Sequence, residues 1–163
     1  MSNKIKSAKF YRATSTMSKP IADSTHTIDR IGFYIVELEL ESGIKGQGYL
    51  LSFNYSPNAI EGALKDICNF ISERDYEVHE ILRVKQEWDM EAEYFGNTGI
   101  NNCAIAAVDI AMWDAWGHVL GMPIWKMLGS NVTKIPVYGS GGWLSYSIEE
   151  LLEEVLDYKK RGF

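Results

Sequence analysis

Between Ile100 and Leu120 apolar residues cover nearly the whole helical circumference instead of one stripe. Ile105, Val108, Met112, Trp116 and Val119 recur three or four apart, Ile110, Trp113 and Leu120 flank them, and alanines fill much of the rest. This pattern predicts a helix buried on nearly all sides, capped by Thr98 or Asn101 and stopped by Gly121 and Pro123. Its length would suit a membrane span. Asp109 and Asp114 inside it, each costing about 2.5–3.5 kcal/mol at a bilayer centre, argue for a protein core instead.

Upstream, the periodicity shortens to two. Residues 5–14 alternate loosely and predict a first strand, and residues 31–40 and 46–53 predict two more, joined by a turn at Glu41-Ser42-Gly43. Between the first two, residues 15–29 are polar, contain Lys19-Pro20 and have no period; a loop of that length is expected to be functional or disordered. Ser56-Pro57 opens a helix with the stripe Ile60, Ala63, Leu64, Ile67 and Ile71. A less regular helix is expected over residues 77–95. Its Glu87, Asp89, Glu91 and Glu93 are two apart and diverge around a helix, so they predict a solvated face, not a metal cage.

Past Leu128 the pattern changes. Residues 134–138 predict a short strand, Gly139-Ser140-Gly141-Gly142 follows, and a helix starts at Ser147 with Glu150 completing a capping box. Ile148, Leu151, Leu152, Val155 and Leu156 form its apolar stripe, and Gly162 ends it. Such a strand-loop-helix unit cannot bury that stripe alone.

Composition narrows the function classes. The balance of 16 basic against 22 acidic residues, net −6, provides no basic patch for nucleic acid or an anionic membrane. No apolar segment near the start reads as a secretion signal, so a cytoplasmic protein is expected, with Cys68 and Cys103 as buried reduced thiols. His26, His79 and His118 have no metal-ligand spacing. The glycine cluster at 139–142 matches neither a dinucleotide fingerprint nor a nucleophile elbow.

The run AIAAVDIAMWDAWGHVLGMPIWKMLG, residues 104–129, carries Ala-x-x-Ala-Val-Asp-x-Ala-x-Trp-Asp, then Gly-x-Pro and Leu-Gly. It resembles the segment closing the N-terminal capping domain of the enolase superfamily, in its mandelate racemase and muconate-lactonizing branch. Relatives usually have Gly-Lys where this chain has Gly117-His118, an exposed position expected to matter little. The resemblance implies an α+β capping domain over residues 1–130, a three-stranded antiparallel meander with a helical bundle. Residues 131–163 would then be the first β/α unit of a modified TIM barrel, and the sequence would stop in mid-architecture.

It also implies a Mg²⁺-dependent enzyme that removes the proton α to a carboxylate, an acid-sugar dehydratase or a racemase. The base and the metal ligands would lie beyond residue 163, so no catalytic or metal-binding residue is expected within the chain. The resemblance sharpens three places. Lys19, Thr25 and His26 lie in the loop that would close over substrate. Leu51, Phe53 and Tyr55 could line the pocket. Ser140 matches a serine that holds the substrate carboxylate, with Trp143 as a wall. A homo-oligomer acting on a small carboxylate is the implied setting. The reading from another class is a stand-alone binding or assembly module without catalysis.

Overall fold

The computed structural model describes residues 2–53, 55–94 and 96–163. Three strands, β1 (Ile5–Ala22), β2 (Thr27–Leu40) and β3 (Lys45–Ser52), form one antiparallel sheet in the order β1-β2-β3. Helices α1 (Pro57–Ser72), α2 (Ile81–Glu91) and α3 (Ile100–Leu120) pack with it, followed by the short α4 (Ile124–Met127) and then α5 (Ile148–Arg161). Along β2 the alternation sends Tyr34, Val36, Leu38 and Leu40 into the core and leaves Glu37 and Glu39 on the other side, as period two requires. The core joins these to Leu64, Ile67 and Ile71 of α1 and to Val108 and Met112 of α3.

The small residues of α3 explain the closeness of this packing. A Cβ on Gly46 would sit 2.6 Å from the Cβ of Ala115, and one on Gly48 would sit 2.7 Å from the backbone nitrogen of Ala111. Glycine on the strand and alanine on the helix therefore let two backbones approach at a distance that larger side chains forbid. By length and composition α3 could cross a membrane, but Ala104, Ala107, Val108, Ala111, Met112 and Ala115 are buried inside the protein.

Several expectations need correction. The expected loop at 15–29 is mostly sheet: β1 and β2 continue as a long hairpin, pairing Thr16 with Arg30 and Ala22 with Thr27 around a register shift between Thr16 and Ile21. Both faces of this extension are largely exposed, so no alternation marks it, and Lys19-Pro20 falls within the irregularity where a missing N–H is tolerated. The strand expected at 134–138 is absent; these residues are exposed and meet no pairing strand among the described residues. The helix expected over 77–95 is the shorter α2, and Phe95 lies outside the described residues.

α3 is also not covered all round: Ile110 and Leu120 are exposed and Trp113 is half-buried, because the sheet, α1 and α2 pack only part of its circumference. Cys68 is buried, which pushes its thiol up to about 12, but Cys103 is exposed on α3's open side. Caps differ too. Gly99 with φ 61° starts α3, and Ser56 precedes α1 in a left-handed conformation without a side-chain cap. The capping box of Ser147 and Glu150 is present, Gly162 ends α5, and none of α5's residues is buried.

Candidate substrate-facing site

The hairpin tip is built around one carboxylate. Asp23 Oδ1 accepts the backbone N–H groups of Thr25 and His26, each at 2.7 Å, and the Thr25 hydroxyl at 2.9 Å. The backbone N–H donors of Thr25 and His26, followed by the Thr25 hydroxyl, hold the Asp23 carboxyl below its usual range. An Asp side chain closing a turn two residues on is a familiar local solution, and here it caps the buried cross-strand pair Ile21 and Ile28. Thr25 Oγ1 lies 2.7 Å from His26 Nδ1. The His26 ring meets the Tyr55 ring edge-on, with centroids 5.7 Å apart. Tyr55 is held from the strand side, its carbonyl accepting the Ser52 hydroxyl at 3.2 Å.

The tip docks on the segment before α5. Leu144 N–H donates to Ala22 O at 2.9 Å, and Lys19 Nζ pairs with Glu150 while lying 4.7 Å from the Tyr146 ring centroid. Lys19 helps hold the carboxyl of Glu150 low, and Glu150 at the same time accepts the Ser147 N–H of its capping box. The glycine turn is fastened to the same helix. Tyr158 donates its hydroxyl to Ser140 O at 2.7 Å, and Glu154 accepts Gly142 N–H at 2.8 Å. A Cβ on Gly139 would lie 2.7 Å from the Tyr158 ring, so this glycine is required by α5's approach.

The structure thus brings Thr25, His26 and Tyr55 into one cluster, with Lys19 a short way along the same hairpin against Tyr146 and Glu150. Ser140 is exposed and Trp143 half-buried on the turn whose end, Leu144, holds the hairpin. Leu51 and Phe53 are exposed large apolar residues beside Tyr55, while Asn54 lies outside the described residues. Sequence reasoning missed Asp23, Glu154 and Tyr158. Asp-x-Thr-His at 23–26 was a legible turn signal; the roles of Glu154 and Tyr158 depend on tertiary approach.

Among the described residues no three His, Cys, Asp or Glu side chains converge as a metal site. A cavity of about 220 Å³ lies elsewhere, between α2 and α3, lined by Ile81, Val84, Ile105 and Met112 with Asp109 beside them. Burial there raises the Asp109 carboxyl, and the charge of Lys85 acts in the opposite direction.

With this geometry in view, the likeness to known proteins is informative. Residues 6–129 match the family described as the mandelate racemase / muconate lactonizing enzyme, N-terminal domain. The chain belongs to this family. It is 30% identical over 146 residues to the 3,6-anhydro-alpha-L-galactonate cycloisomerase of Streptomyces coelicolor, covering 88% of this chain and 40% of that protein. It is 32% identical over 133 residues to the arabinonate dehydratase of Saccharolobus solfataricus, covering 78% of this chain and 34% of that one. The family chain described here therefore spans well under half the length of these relatives. Its fold is similar to that of L-talarate/galactarate dehydratase from Salmonella typhimurium LT2, liganded with Mg and L-lyxarohydroxamate. That similarity has a TM-score of 0.89 and 22% identity, over 98% of this chain and 42% of that one. The α+β capping-domain architecture expected from the sequence is the one observed.

Proposed function

We propose that these residues are the substrate-capping part of an enzyme acting on acid sugars, in which removal of the proton α to a carboxylate leads to dehydration. What supports this reading most is the docking of the hairpin on Leu144 through Ala22, next to the tip whose His26 meets Tyr55, together with dehydratases among the relatives. Residues 131–163 are read as the first β/α unit of a barrel, where active sites lie at the strand's C-terminal end. The exposed stripe Leu151, Leu152, Val155 and Leu156 is the face such a unit lays on its barrel.

In this reading the chain contributes recognition, orientation and exclusion of water, not the base. His26, held by Thr25, offers a polar group from above, Tyr55 and Trp143 provide walls, and Ser140 offers a hydroxyl for the substrate carboxylate. Lys19 adds positive charge near the rim while bracing the hairpin on Glu150. In this reading the ligands of a Mg²⁺ ion like that of the talarate/galactarate dehydratase structure are supplied by barrel strands other than the residues described here. Closure of such a cap serves catalysis by sequestering substrate from solvent.

The test is a panel of aldonic and aldaric acids incubated with the whole protein and Mg²⁺. Formation of a 2-keto-3-deoxy acid from at least one of them is expected. No turnover of any member, with the protein folded and Mg²⁺ present, would overturn the reading and favour a binding module.

A further inference from the structure

Thr25 and Asp23 do more than close a turn. The Asp23 carboxylate, held ionised by its donors, can only accept hydrogen bonds, and it accepts the Thr25 hydroxyl at 2.9 Å. The single proton of that hydroxyl is therefore used. Thr25 Oγ1 lies 2.7 Å from His26 Nδ1 and can then only accept there, so Nδ1 carries the hydrogen. In the neutral ring this leaves the lone pair on Nε2. The His26 ring also meets the Tyr55 ring edge-on. A carboxylate, a hydroxyl and an imidazole thus form a directed chain, on a tip that Leu144 ties to the Ser140–Trp143 turn.

We propose that Asp23 and Thr25 are positioning residues that fix His26 as the Nδ1–H tautomer, making Nε2 an acceptor for a hydroxyl of a polyhydroxy carboxylate. Its functional half rests on the acid-sugar reading; the tautomer does not. An acceptor suits a polyol, because every substrate hydroxyl has a proton to donate, whereas a lysine or arginine at this place could only donate. Selection would then favour sugar acids over simple carboxylates lacking that hydroxyl, since an unmet acceptor is costly on closure.

The experiment combines nitrogen-15 NMR of the histidine-labelled protein without substrate, at a pH where His26 is neutral, with steady-state kinetics on the best acid sugar from the panel. Thr25→Val removes the hydroxyl, and Thr25→Ser restores it. The expected result is the Nδ1–H tautomer in wild type and T25S and its loss in T25V. The KM of T25V should rise about tenfold, the size of one hydrogen bond, with kcat little changed and T25S close to wild type. Melting temperatures should agree among the three, since the tip is exposed. An Nε2–H tautomer in folded wild type, or a T25V protein with unaltered tautomer and KM, overturns the proposal. If no acid sugar is turned over, the functional reading and the acceptor role fall together, while the NMR result still decides the positioning role.

Discussion

Asp114 on α3 accepts the backbone N–H of Gln47 on β3 at 2.9 Å. Gln47 stands at the outer edge of the sheet, where a strand would otherwise present open hydrogen-bonding groups. One turn along the helix, His118 Nδ1 lies 2.8 Å from Lys45 O, so α3 closes the edge with two side chains while Gly46 and Gly48 let it come near. His118, expected from the sequence to matter little, is therefore part of the helix–sheet contact. Asp114→Ala should lower unfolding free energy by about 1 kcal/mol in urea melts, and Asp114→Asn, which keeps an acceptor, by less.

Gly48 and Gly62 make a matched pair. A Cβ on Gly48 would drive into Ala107 and Ala111, so Gly48→Ala should cost about 3 kcal/mol, near the upper end of overpacking effects. Gly62, within α1, has open space around its Cβ position, and Gly62→Ala should stabilise by up to about 1 kcal/mol. Chemical denaturation of the two variants checks both signs.

Asp109 should make stability depend on pH. Its folded-state carboxyl is raised by burial, so its favourable contribution is full below the unfolded-state pKa and is lost as pH rises through the folded value. Asp109→Asn should raise the melting temperature at neutral pH and flatten the wild-type decline across the carboxylate range. Scanning calorimetry at several pH values measures this.

The Lys19–Glu150 pair is exposed and should order the hairpin locally without setting global stability. Glu150→Gln keeps the capping-box geometry and removes the charge. Amide exchange at residues 19–26 should quicken, with the melting temperature hardly changed.

How legible the protein was depended on where burial imposes a period. The alternation in β2 and the capping box at Ser147 were readable because local geometry fixes each, and α3 was readable as a helix from its long apolar run, though not which of its sides stays open. The hairpin extension beyond Thr14 was not, since both its faces are largely exposed and the buried pair Ile21 and Ile28 is too short a stretch to set an alternation. Residues 134–138 had strand-like composition, but a strand exists only where a neighbour accepts its hydrogen bonds. At the candidate site, Thr25, His26 and Tyr55 proved to be neighbours. The tie from Tyr158 to Ser140 spans 18 positions and has no local signature.

Ser140→Ala tests most directly the proposal that the glycine turn and the hairpin docked on it face substrate. In the structure the Ser140 carbonyl, not its side chain, receives the Tyr158 hydroxyl, so the substitution spares that tie. Steady-state kinetics on the best acid sugar should show kcat/KM reduced roughly 10- to 150-fold, the range for a hydrogen bond to a charged group, with an unchanged melting temperature. An unaltered kcat/KM in the folded variant would contradict the claim.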